Sequence, residues 1–240
     1  MFGLNDIETI NLDGIQIEIK RSAKRKTLNI EVGNKGVIAR APLRMRFKTI
    51  EQFIVSKQDW IKRHVSTLKP PTPPLELKDG VELMYQGVIY YLSISHGQRR
   101  KVQLNEHSNT INVPIMNSHL SVHERSRTKL IKWYKQVALD QIERRVDHFS
   151  ALMQLQGSVS KVRDYKRRWG SCDHKGQLSF NWRIIMAPPE VLDYVVVHEL
   201  AHCIEFNHSK RFWSIVESFL PNWKDQRDWL NTNGSHLYRF

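Results

Sequence analysis

The apolar residues of this chain change period several times along its length, and each change marks an element. Residues 14–20 alternate apolar and polar, as do residues 27–32, and residues 37–39 resume the alternation after the turn Gly33-Asn34-Lys35-Gly36. A period of two puts one face of a strand into a core, so these segments predict a small antiparallel sheet. Between residues 48 and 68 the period lengthens. Ile50, Phe53, Ile54, Trp60, Ile61 and Val65 recur at helical spacing, which predicts one helix packed on that sheet. The run Lys69-Pro70-Pro71-Thr72-Pro73-Pro74 can enter neither a helix interior nor a central strand, and reads as a stiff extended connector. Beyond it, residues 81–85, 88–94, 101–104 and 110–113 are strand-like and separated by turn residues, as in a β-meander.

The second half is more helical. Ser121-Val122-His123-Glu124 is a capping-box sequence, and the stripe from Leu130 through Tyr134, Ala138, Ile142, Val146 and Phe149 to Met153 predicts one long helix over residues 122–155, closed by Gly157-Ser158. Residues 159–165 and 177–184 read as strands. Pro189 and Glu190 suit a first helical turn, and residues 191–204 are apolar on nearly every side, which describes a helix buried against a sheet. Ser209 then caps a helix carrying Phe212, Trp213, Val216 and Phe219, Pro221 stops it, and Asn222 caps a last short helix; the tail after Asn231 reads as loose. No internal repeat is evident. The pattern gives an α+β chain with a mainly β N-terminal region: 1–68 sheet plus helix, 69–76 connector, 77–118 meander, and 119–240 a compact core.

Within the buried helix lies His198-Glu199-Leu200-Ala201-His202, with His208 six residues further on. One helical turn separates His198 from His202, so both imidazoles can close on a single metal ion, with Glu199 beside them. By chance H-E-x-x-H arises on the order of 0.03 times in a chain of this composition. A carboxylate and two imidazoles in such a helix are costly to bury unless something binds them, and a divalent cation supplies that compensation. The step from His202 to His208 equals that of the metzincin pattern, but Glu205 stands where that pattern has glycine. Glu205 resists a left-handed turn, so the helix is expected to run on to Phe206 and turn at Asn207, with Glu205 facing solvent or acting as a neighbouring acid.

Composition narrows the setting. The chain has 240 residues, 40% of them apolar, enough for one good core or two modest ones. It has no apolar run long enough to span a membrane and no signal-like start, so no membrane insertion and a cytoplasmic location are expected. Its two cysteines, Cys172 and Cys203, are too few for a disulfide framework and read as reduced thiols. The formal charge of +13 attracts polyanions, and Lys20, Arg21, Lys24, Arg25 and Lys26 crowd one hairpin tip, a solvated loop or a phosphate contact. No zinc-finger, RRM or KH signature accompanies them.

Several segments together carry a resemblance. Arg168-Trp169-Gly170-Ser171-Cys172, Phe180-Asn181-Trp182-Arg183, residues 187–202, Asn207-His208-Ser209 and Phe212-Trp213 resemble the YgjP-type family of predicted metal-dependent hydrolases. More distantly they resemble SprT-type and WLM-type proteases, which are associated with protein attached to DNA. The resemblance implies a zincin-like core, one Zn2+ per chain, and His198, His202 and His208 as its ligands. Three neutral histidines leave one position for water, whose pKa zinc brings towards ~7. Glu199 is then the general base, and the expected activity is hydrolysis of peptide bonds in a peptide or protein. Tyr165, Arg168 and Tyr194 are available by type as oxyanion donors, Tyr194 also as a packing residue. The strand at Gln177 offers a rim for an extended peptide, and Cys172 a thiolate that could close the metal's open position. The alternatives are a nucleic-acid-associated binding protein with a structural or vestigial metal site, and a hydrolase of non-peptide amides.

Overall fold

The computed structural model describes residues 8–33, 36–66, 73–97, 101–155 and 158–240, and the chain divides into two compact units, Met1–Thr72 and Pro73–Phe240. Each unit has its own apolar core.

In the first unit, β1 (Thr9–Leu12) and β2 (Ile15–Ser22) form a hairpin. Its two-residue turn has Asp13 at φ 51° and Gly14 at φ 84°, the pair of positive angles that matches strand twist. β2 lies parallel to β4 (Gly36–Pro42), and β3 (Asn29–Gly33) pairs with the far side of β4, giving the order β1-β2-β4-β3. The sheet is therefore mixed and not antiparallel throughout. Setting β2 beside β4 puts Ile17, Ile19, Val37, Ala39 and Ala41 together on one buried face and leaves the more polar β3 at an edge. The predicted single helix is two, α1 (Phe47–Ser56) and α2 (Gln58–Ser66), broken where Lys57 takes φ −109°, ψ 12°. Ser56 Oγ donates to the Phe53 carbonyl at 2.7 Å, a local bond that competes with the helical ladder at the break. Ile50, Ile54 and Ile61 from both pieces are fully buried in the sheet's core. Residues 69–72 of the expected connector lie outside the described residues.

The second unit opens with β5 (Glu82–Tyr85) and β6 (Val88–His96), joined by Gln86 and Gly87 at φ 50° and 77°. β6 is parallel to β8 (Thr110–Ile115), and β7 (Gln103–Asn105) pairs outside β8, so the order is β5-β6-β8-β7. This corrects the expected meander and reveals a repeat: both sheets share strand order, directions and turn type. Comparison of residues hides it because the alternation is kept while the residues change. Ile17 and Ile19 of β2 correspond to Tyr90 and Leu92 of β6, all four buried.

α3 (Val122–Met153) forms as its sequence predicts. Ser121 Oγ accepts from Glu124 N, Ser121 N donates to the Glu124 carboxylate, and Gln154 ends the helix at φ 56°. Its buried face packs against the helix that carries the motif, and Tyr134 Oη donates to the Met84 carbonyl, tying α3 to β5. A third sheet has β11 (Gln177–Asn181) at its centre, parallel to β9 (Ser158–Arg163) and antiparallel to β10 (Gly170–Cys172). β11 stops before residue 184, because Asn181 Oδ1 accepts from Arg183 N and opens a 3-10 turn over Trp182–Met186.

α4 (Pro189–Ala201), α5 (Lys210–Phe219) and α6 (Trp223–Asn233) follow. Ser209 caps α5 through the Phe212 N–H, whereas Asn222 makes no side-chain cap on α6. The C-terminal tail is ordered as a 3-10 turn, Gly234–Arg239. Leu237 and Phe240 bury into the core, and Asn181 Nδ2 donates to Tyr238 Oη at 2.8 Å. The architecture is α+β, with a zincin-like arrangement of backing helix, small sheet and motif helix. No helix among the described residues is long and apolar enough to cross a membrane.

Candidate metal centre

α4 presents His198 and His202 on one face, and the chain after it returns His208 to them. One ring nitrogen from each of the three lies within 4.8 Å of the others. His198 Nε2 and His208 Nε2 are 3.1 Å apart. Two imidazoles bound to one zinc at about 2.0–2.1 Å stand roughly 3.3 Å apart at tetrahedral angles, so this donor set fits such a cation. His202 Nδ1–H donates to the Glu205 carbonyl at 3.2 Å, which leaves Nε2 with its lone pair free. Burial, reinforced by the two neighbouring imidazoles, holds His198 down to about 3, and burial likewise lowers His202. Both stay neutral at pH 7, the form that binds a metal. His198 Nδ1 is buried without a partner, a desolvation cost borne inside this cluster.

The floor beneath the histidines is aromatic. Phe212, fully buried at the start of α5, has its ring centroid 5.0, 4.6 and 4.7 Å from those of His198, His202 and His208. Trp213 stacks beside His208 at 5.7 Å and on Trp223 at 4.2 Å, so α5 and α6 together hold the exposed histidine in place.

Glu199, next to His198 on α4, sets its carboxyl against β10 within the same cleft. Its side chain is 6% exposed. A Cβ built on Gly170 would fall 2.6 Å from both Cγ and Oε1 of Glu199, so only glycine leaves room for this carboxyl. Burial pushes Glu199 up to about 8, against the opposing pull of Arg168 and of the Cys172 backbone N–H, which donates to it. The histidines and Glu199 line an open cleft of about 530 Å³, walled by β10 on one side and by Tyr194, Arg227 and Leu230 on the other.

The remaining expected site residues divide. Arg168 and Tyr194 line the cleft. Tyr194 is pushed up to about 12 by burial and so stays a neutral donor, while its ring packs 5.8 Å from His198. Tyr165 is not among the lining residues. Its hydroxyl pairs with Ser171 Oγ at 3.0 Å, and Arg168 lies over its ring at 5.0 Å. Glu205 serves His202 through its carbonyl, while its carboxylate accepts from Asn207 N. α4 ends at Ala201, well short of Phe206, and turns through 3-10-type bonds from Cys203 N to Leu200 O and Ile204 N to Ala201 O. No residue of that turn takes a positive φ, so the left-handed residue expected at Asn207 is not needed. β11 is flanked on both sides, and of the two edge strands it is β10 that lines the cleft. Cys172 faces Cys203, with Sγ atoms 3.6 Å apart, and does not join the histidines; burial and that contact push its thiol up to about 12.

Residues 26–233 match the sequence profile described as YgjP-like, metallopeptidase domain. The chain belongs to this family. As a YgjP-like protein it is a metal-dependent hydrolase, and the three converging histidines are where its described residues could hold the metal. Among solved structures, the metallopeptidase zymogen abylysin of Pyrococcus abyssi is similar at 26% identity, over 38% of this chain and 92% of that one, with a TM-score of 0.36. No curated protein matches.

The sequence pointed to the YgjP-like histidines and Glu199 but not to the parts that hold them. Gly170 and the Cys172 N–H reach Glu199 across more than 25 residues, and Phe212 and the Trp213–Trp223 stack read from sequence as ordinary core positions of two helices. The one local signal was Gly170 itself, a glycine inside a short extended segment, which marks a close approach.

Proposed function

We propose that the protein is a zinc metallopeptidase in which His198, His202 and His208 hold the ion and Glu199 is the general base. The observation that carries this reading is the placement of a buried carboxyl beside three converging imidazoles at the floor of an open cleft. A zinc ion held there would supply Lewis acidity to water and to a scissile carbonyl. Glu199 takes the proton of the attacking water and passes it to the leaving nitrogen. Its carboxyl, raised in the apo site, ionises more readily once a cation lies beside it. Tyr194 and Arg168, which line the cleft, are the donors assigned to negative charge on the carbonyl oxygen, and Tyr165 is set aside because its hydroxyl is engaged with Ser171. β10 supports a peptide substrate: it is an edge strand that lines the cleft, and an extended chain can lie along it using backbone groups other than the Cys172 N–H that Glu199 engages.

Metal analysis of the purified protein beside His208→Ala tests the ligand set. About one zinc per wild-type chain, much reduced in the variant, is expected. Glu199→Gln should keep its zinc and lose about 100-fold or more of the hydrolytic rate on peptides. Full activity in that variant would remove the general-base role.

A second reading, association with nucleic acid, rests on the charge of +13 and on Lys24, Lys26, Arg44, Arg46 and Lys48, which have no carboxylate partner among the described residues. Binding to DNA or RNA that weakens steeply with salt and survives loss of the histidines would support it.

A further inference from the structure

The chain has two cysteines, 31 residues apart in sequence, and the fold brings them together. Cys172 closes β10 and Cys203 follows His202 in the turn after α4, with Sγ atoms 3.6 Å apart and both side chains half-buried. A disulfide needs about 2.05 Å between sulfurs, so an approach of roughly 1.5 Å closes the bond. β10, which carries Cys172, is sparsely paired in its sheet: it is an edge strand three residues long with β11 as its one sheet neighbour. It is also the strand that holds Glu199, through the Gly170 contact and the Cys172 N–H.

We propose that Cys172 and Cys203 form a reversible intramolecular disulfide that clamps β10 to the end of α4 and slows hydrolysis in the oxidised state. The oxidant is a small-molecule disulfide such as oxidised glutathione. One cysteine, giving up its proton, attacks a sulfur of the reagent, expelling one small thiol and leaving a mixed disulfide. The second cysteine attacks the protein sulfur of that bond and expels the other small thiol. Two electrons and two protons leave the cysteines, and the reagent ends as two thiols. A shift of about 1 Å in the groups around Glu199 is enough to cost ~100-fold in rate.

The full-length protein is equilibrated in glutathione buffers of graded redox ratio, alkylated, digested and mapped by mass spectrometry. The expected result is a peptide holding Cys172 joined to the one holding Cys203, lighter by two hydrogens, reversed by dithiothreitol and absent in Cys203→Ser. Amide exchange in β10 should slow in the oxidised form. Both cysteines alkylated at every ratio, or glutathione adducts that never resolve into the cross-link, overturn the assignment. These two readouts need neither substrate nor metal. The clause on rate rests on the metallopeptidase reading. Peptide hydrolysis by wild type should fall tenfold or more on oxidation and return on dithiothreitol treatment in step with loss of the cross-linked peptide. A cross-linked protein with undiminished rate overturns that clause. Reduced protein that hydrolyses no peptide counts against the metallopeptidase reading, and mass and exchange still decide the disulfide.

Discussion

Glu199 and Gly170 form a unit at the scale of single residues. A methyl on Gly170 has to displace the Glu199 carboxyl or the strand, and the atoms it would meet first all belong to Glu199, none to a histidine. Gly170→Ala is therefore expected to keep its metal and lose about 100-fold in hydrolysis, a separation that metal analysis beside a peptide assay will read. The same burial gives the metal-free protein a pH dependence. Folded Glu199 titrates near 8 and its unfolded reference is 4.5, so between those values the folded state holds a proton that the unfolded chain has lost. Its contribution to stability is complete below about 4.5 and is lost as pH rises through about 8. Denaturant titrations of apo protein across that window should show stability falling by several kcal/mol at most, with the slope flattened in Glu199→Gln and in zinc-loaded protein. At this scale the motif was readable from sequence because one helical turn fixes His198 against His202. The cradle was not, because nothing local to Gly170 names the carboxyl it must clear.

Among elements, the turn after α4 and the start of α5 decide where His208 stands. Ser209 caps α5 through the Phe212 N–H, which seats Phe212 under all three imidazoles and Trp213 against His208. Trp213→Ala should leave the fold intact and weaken metal binding by about 10–100-fold, measured by competition with a chromophoric chelator. Helix starts were legible where a side chain bonds its own neighbours, as Ser121 and Glu124 do. Strand partners were not: alternation names a buried face, but the parallel pairing of β2 with β4 is settled by which strands bury most, a property of the assembled sheet. Helix length failed twice for a shared reason. Hydrophobic periodicity runs through Lys57 and past Ala201, while backbone bonding stops there.

The whole molecule has two cores, and the candidate metal centre belongs entirely to the second. Calorimetry should resolve two transitions, of which zinc raises one and leaves the other in place. A single transition that zinc shifts as a whole would show the units to be coupled. The shared strand order of the two sheets also makes their hairpin turns directly comparable. Gly14 has open space where a side chain would go, whereas at Gly87 such a carbon would fall 3.0 Å from Pro188, and Gln86 and Gly87 donate backbone bonds to Ile185 and Met186. One copy of the turn reaches α2 through the Asp13 carboxylate, which accepts from Gln58 and pairs with Lys62, and leaves its glycine unconstrained by neighbours; the other holds the entry to α4 with its backbone. Asparagine, which tolerates a left-handed backbone, should pass at position 14 and fail at position 87. If the two halves descend from one ancestral hairpin, selection has since read the same glycine under two different laws: one of local conformation, the other of the space owed to a neighbour.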